Sequence, residues 1–139
     1  MKNNIKTIGF TGTQCGMTLQ QQAKLIDFLE QLHDENLDHQ ITLHHGDCVG
    51  ADYEMHHIGK LMGYYIVIHP PLYDSKRAFC SGDEICSKKD YLDRNRDIVD
   101  NCDLLIATPK ETTEVLRSGT WSTVRYAKKI GKPVVIIEP

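Results

Sequence analysis

Ile41-Thr42-Leu43-His44-His45-Gly46-Asp47-Cys48-Val49-Gly50-Ala51-Asp52 is the stretch that decides the fold. Ile41 to His45 reads as a short strand closed by Gly46. Gly50 follows four residues later, and a helix begins at once. Ala51, Met55, Ile58 and Met62 then recur at spacings of four, three and four, and Gly63 suits the C-terminal cap of that helix. A strand running through a glycine-bearing turn into a helix is one βα unit.

The same unit repeats on both sides. Ile5 to Phe10 is an apolar strand ending at Thr11-Gly12-Thr13. Thr18-Leu19-Gln20-Gln21 is a capping box opening a helix. Leu19, Ala23, Ile26 and Leu29 form its predicted apolar stripe, widened by Leu25, Phe28 and Leu32. Tyr64 to His69 is a third strand, stopped by Pro70-Pro71. Ser87-Lys88-Lys89-Asp90 caps a helix with Tyr91, Asn95, Ile98 and Cys102 on one face. Leu104 to Ala107 and Val134 to Ile137 are the last strands, separated by a helix over Gly119 to Ile130 with Gly131 and Pro133 beyond it. Five apolar strands alternating with helices predict an α/β fold: a Rossmann-like three-layer α/β/α sandwich with a five-stranded, mainly parallel sheet. Leu72 to Cys86 has no clean periodicity, and loops of that length are usually functional.

With 139 residues, 40% apolar and 25% charged, residues 1–139 are expected to form a single domain. A net charge of -3 argues against a protein coated in nucleic acid. No apolar run of about 18 residues exists, so no membrane partner is expected. Met1-Lys2-Asn3-Asn4 has no signal-peptide core. Cys15, Cys48, Cys80, Cys86 and Cys102 are odd in number and form no C-x-x-C pair. They fit a reducing, cytoplasmic setting, with thiols as small core residues. Asp52 and His56 stand four apart, but no matched ligand set completes a metal site, and no cofactor is expected. The pairs His44-His45 and His56-His57 are expected to be surface or capping residues.

In such a sheet, ligands bind beyond the carboxyl ends of the strands. Thr11, Gly12 and Thr13 supply a turn whose amides can meet a phosphate. Gly46, Gly50 and Ala51 let backbone approach a ligand at a helix N-terminus. Asp47 and Asp52 can cap that helix or bind a ribose hydroxyl. Arg94 can clamp a phosphate or pair with Asp90, Asp93, Asp97 or Asp100, whereas Arg96 is expected in solvent. Asn95 is expected to tie its helix to a strand-end loop. Ser118, Gly119 and Thr120 bring a hydroxyl and free amides to a helix N-terminus, a ready anion site. Trp121 either stacks on a base or packs against the sheet, with packing favoured.

Taken together, these elements resemble the SLOG superfamily, the Rossmann-like group that includes the DNA-processing protein A and the LOG-type proteins. The resemblance rests on Thr11-Gly12-Thr13, on Gly46 to Asp52, on Arg94-Asn95-Arg96 followed by Asn101 to Ala107, and on Ser118 to Thr123 leading to Gly131-Lys132-Pro133-Val134. It implies a nucleotide or nucleotide-derived ligand, held by a sensor or binding protein, and a homodimer paired through helices. Some members hydrolyse the N-glycosidic bond of nucleoside monophosphates with a P-G-G-x-G-T-x-x-E signature, in which glutamate and arginine are catalytic. Here Thr123 stands where that glutamate is expected. The hydrolase reading therefore falls to Asp52 and Arg94 as candidates, with Asp47 and Glu114 as other carboxylates. The DNA-processing relatives bind single strands through a basic surface, for which this chain has no obvious counterpart.

Overall fold

The computed structural model describes residues 4–139. The expectation read at Met1 to Asn3 lies outside the described residues. Strands β1 (Thr7–Gly12), β2 (Thr42–His45), β3 (Tyr65–Ile68), β4 (Glu84–Ile85), β5 (Leu104–Thr108) and β6 (Val134–Ile136) form one sheet in the order β4-β3-β2-β1-β5-β6, and every pairing is parallel. Helices α1 (Leu19–Glu35), α2 (Ala51–Leu61), α3 (Tyr91–Asp100) and α4 (Gly119–Lys129) supply the crossovers.

Alternation along the strands assigns the two faces. Ile8, Phe10, Leu43, Ile66, Ile68, Leu104 and Ile106 pack with Leu25, Leu29 and Leu32 of α1 and Met55 of α2. The intervening Leu105 packs with Val99 and Cys102 on the α3 side and Ala127 of α4, and Ala107 packs with Trp121 and Val124 of α4. The strand order reverses at β1, flanked by β2 and β5. A crevice therefore opens above their carboxyl ends, where the crossovers leave in opposite directions.

The sheet has six strands where five were expected. The addition, β4, is two exposed residues paired with Val67 and Ile68. It has no period and one apolar side chain. Its pairing is set from its flank, where the Asp83 carboxylate accepts the Ile66 N–H at 2.8 Å and the Asp83 N–H donates to the Ile66 carbonyl. The stretch read as an unpatterned loop thus contributes the sheet edge, preceded by a 3₁₀ turn at Asp74–Lys76.

The apolar stripe of α1 is also rotated from its expected place. Leu19, Ala23 and Ile26 are exposed, and the buried face is Gln21, Leu25, Leu29 and Leu32. Gln21 occupies an apolar place because its side chain is fully used. It completes the capping box with Thr18, and its amide donates to the carbonyls of Pro109 and Ile137 at 2.8 and 2.9 Å. On α3 the buried face is Arg94, Ile98 and Val99, with Asn95 half-buried and Tyr91 exposed. No described helix is long and apolar enough to cross a membrane.

Candidate functional site

A cleft of about 430 Å³ lies at the carboxyl ends of β1, β2 and β5, within the size range of small-molecule sites. Four elements bring expected residues to it. Thr11, Gly12 and Thr13 come from the end of β1, Gly46 and Asp52 from the β2–α2 junction, Arg94 and Asn95 from α3, and Ser118, Gly119 and Thr120 from the start of α4. Asp47, Gly50, Ala51 and Trp121 do not line it.

The β2–α2 junction is packed tightly. Gly50 has φ 87°, and a Cβ there would strike the backbone carbonyl of Gln14. Its role is to let the β1 turn lie against the start of α2, where the Ala51 N–H donates to Thr13 O at 2.9 Å. A Cβ on Gly46 would strike the Arg94 guanidinium, so this glycine makes room for the arginine.

Arg94 is 5% exposed and pairs with none of the four aspartates of its own segment. Its Nη1 donates to the carbonyls of Gly46 and His69, its Nη2 to Cys48 Sγ at 3.6 Å and its Nε to Asn95 Oδ1 at 2.7 Å. Tyr91 lies 5.1 Å from the guanidinium carbon. Asn95 Oδ1 accepts from Arg94 of its own helix, and it is Arg94 that ties α3 to the ends of β2 and β3. Arg96 is exposed and lies over the Tyr126 ring.

Asp52 sits in the first turn of α2, buried. Its Oδ2 accepts the Cys48 N–H at 3.2 Å, so it ties the loop and not the helix amides. Burial pushes its carboxyl up to about 6, opposed mainly by the nearby Arg94 charge. Asp47 is fully buried at φ 55°. Its carboxylate holds Arg77 Nε and the Cys80 N–H, both at 2.9 Å, and its carbonyl accepts the Ala78 N–H. It neither caps α2 nor faces the cleft; it anchors the 72–86 segment.

At the opposite wall, Ser118 Oγ accepts the Trp121 N–H at 3.2 Å and caps α4. A Cβ on Gly119 would meet nothing within 4 Å, so the first turn faces open space. Trp121 packs under the sheet with Ala107 and Val124, and its Nε1–H donates to Glu111 Oε1 at 3.1 Å. Thr123 is buried and donates to Gly119 O, and Glu114 pairs with Arg125 on the surface.

Lys110 and Glu111 line the cleft and were missed, although they directly follow β5. Cys48 and Tyr91 were read only as loop and stripe residues. Gln14 and Cys15 belong to the β1 turn that was otherwise identified. The strand-end rule reaches Lys110, Glu111, Gln14 and Cys15. The inward turn of Tyr91 depends on the packing of α3.

Three of the four paired histidines depart from expectation, while His57 is exposed as expected. His44, His45, His56 and His69 are buried. The Asp47 N–H donates to His45 Nδ1, which places the His45 proton on Nε2, facing His56 Nδ1 at 2.9 Å. On the other face of β2, His44 Nδ1 and His69 Nε2 are 2.8 Å apart. Burial pushes His45 down to about 3 and His69 to about 4, and lowers His44 and His56. Each pair holds one internal hydrogen bond as neutral imidazoles, which is why these side chains tolerate the core. Among the described residues, no group of three or more His, Cys, Asp or Glu is arranged to hold a metal ion.

No protein-family model and no curated protein matches this chain.

Proposed function

We propose that the cleft binds a nucleotide or nucleotide-derived ligand, as the resemblance to SLOG proteins implies, and that the protein acts as a binder or sensor. The observation that carries this reading is the meeting of the β1 turn, the α4 N-terminus and Lys110 in one crevice. The first-turn amides of α4 lack intrahelical partners, and the helix dipole favours an anion there. Arg94 is not the phosphate clamp in this reading, because four of its five N–H groups already have partners. It sets the shape and charge of the β2–α2 wall.

A second reading, N-glycosidic hydrolysis, is favoured by one observation. Asp52 is a buried carboxyl lifted to about 6 within the cleft, in the range useful for proton transfer near neutral pH. Release of free base from nucleoside monophosphates, abolished in Asp52→Asn, would select it. The homodimer expected from the resemblance belongs to the same proposal, and light scattering giving a single-chain mass at tens of micromolar would remove it.

The binding reading is tested by thermal unfolding with a nucleotide panel. A ligand at 100 times its Kd adds about 2.7 kcal/mol of apparent stability. Gly119→Val, which puts a branched side chain into the open space before α4, should unfold near the parent temperature but lose most of that ligand-induced shift. An undiminished shift would place the ligand elsewhere.

A further inference from the structure

The two walls of the cleft are chemically opposite. The α4 wall offers donors, the amides of Gly119 and Thr120, and Lys110 lines the same cleft. The α2 wall offers an acceptor. Asp52 is 6% exposed and lines the cleft, yet its Oδ1 has no hydrogen-bond partner among the described residues. A buried carboxylate oxygen left unmatched is costly and rare. Its neighbours do not answer it. The Cys48 N–H goes to Oδ2, the Gly46 backbone N–H adds a weaker interaction with the carboxylate, and Arg94 directs its N–H groups to Asn95, to two carbonyls and to Cys48 Sγ. Asp52 lines the cleft, and a donor on a molecule bound there would complete the carboxylate.

A phosphate cannot supply it, since its oxygens are acceptors near neutral pH. A sugar hydroxyl can. In a 5′-nucleotide the sugar adjoins the phosphate, so a phosphate on the α4 wall presents the sugar towards the opposite wall. The flat base is better suited to Tyr91, which is exposed at the cleft and has the Arg94 guanidinium on one side. We infer that Asp52 is the sugar-reading residue of the cleft, its Oδ1 accepting a hydrogen bond from a ribose hydroxyl of the bound nucleotide. This rests on the nucleotide reading above and sharpens it. The site selects free ribonucleotides over dideoxynucleotides, and it disfavours a DNA strand, whose internal sugars carry neither a 2′ nor a free 3′ hydroxyl.

The test is calorimetric titration of the full chain with the four ribonucleoside 5′-monophosphates and their 2′,3′-dideoxy counterparts. A hydrogen bond to a charged acceptor is worth roughly 10- to 100-fold in affinity. At least one ribonucleotide should therefore bind that much more tightly than its dideoxy partner. In Asp52→Asn the ratio should fall to below about tenfold, because the amide oxygen can still accept from Cys48 while a neutral N–H₂ group, in place of a charged acceptor, then meets the sugar hydroxyl. Equal binding of the two series by the parent protein overturns the role of Asp52 and leaves the nucleotide reading standing. No binding of either series overturns both. A ratio undiminished in Asp52→Asn assigns sugar recognition to another group. The parent ratio needs no variant, and Asp52→Ser supplies a second one should Asp52→Asn fold poorly.

Discussion

The two walls of the cleft are built in opposite ways. At the β2–α2 junction, Gly46, Asp47, Gly50, Asp52 and Arg94 interlock, and Asp47 and Gly50 have positive φ. At the start of α4, a single side-chain cap holds the first turn and Gly119 faces empty space. Both segments carry glycines before a helix, and the sequence makes them look alike. In one, glycine is required by neighbouring protein atoms. In the other, the surroundings leave room for another molecule. A glycine-bearing turn becomes evidence for a ligand only once it is known what a Cβ there would strike.

The largest effect is expected where the interlock is broken. Arg94→Met keeps the length of the side chain but strands the carbonyls of Gly46 and His69 and leaves the Asp52 charge without its main attraction. Buried groups that lose their partners in this way cost about 3 kcal/mol or more in total. Gly46→Ala pushes the same guanidinium aside and should cost about 1 to 3 kcal/mol. Urea unfolding of both variants checks the ranking, and a loss under 1 kcal/mol for Arg94→Met would show that the arginine is not the keystone of this wall.

Acid should act on the same wall. His45 and His69 stay neutral in the folded protein, down to about 3 and 4, while in the unfolded chain they gain protons below about 6.5. Their contribution is fully present above 6.5 and is lost as the pH falls towards 4. Asp52 has the opposite sign. Its folded-state value of about 6 lies above the usual 3.8, so the folded protein takes up its proton first and gains stability as the pH falls from 6 to 4. Two strongly lowered histidines outweigh one carboxyl, giving a net loss of the order of 1 kcal/mol per pH unit near pH 5. Removing the opposing group in Asp52→Asn should steepen that loss. A flat profile between pH 6.5 and 4.5 would mean that the histidine pairs take up protons without disturbing the fold.

The parallel order of the main strands was legible because each ends in a turn and feeds a periodic helix. Elements defined by partners far along the chain were not. Two-residue β4 exists through Asp83 and Ile66, and the buried face of α1 was misplaced because Gln21 finds its acceptors at Pro109 and Ile137. At the cleft, eight of the expected positions that line it follow strand ends or open the helices after them, where topology delivers them, and Arg94 and Asn95 join them from α3. What local pattern does not carry is direction. Asp47 turns towards Arg77 and Cys80, Trp121 turns under the sheet, and adjacent His44 and His45 project to opposite faces, each meeting a second histidine. Nor does sequence distinguish an arginine that grips a ligand from one that, like Arg94, grips the backbone.

The smallest effect is the sharpest contrast with Gly46→Ala. Gly119→Ala makes the same chemical change before the same kind of crevice. It is the first residue of α4, its φ is not positive, and an added Cβ meets nothing within 4 Å. Nothing on the folded side opposes the methyl group, and alanine restricts the unfolded chain more than glycine does. Replacements of that kind are worth about 0.4 to 1 kcal/mol in favour of folding in the best cases, and less at a helix end where the residue is only partly constrained. Gly119→Ala should therefore unfold within about 0.5 kcal/mol of the parent, while Gly46→Ala loses several times that. If the two alanine variants were equally destabilised, the α4 turn would be as tightly fitted as the β2–α2 junction, and the open space before it could not be offered to a ligand.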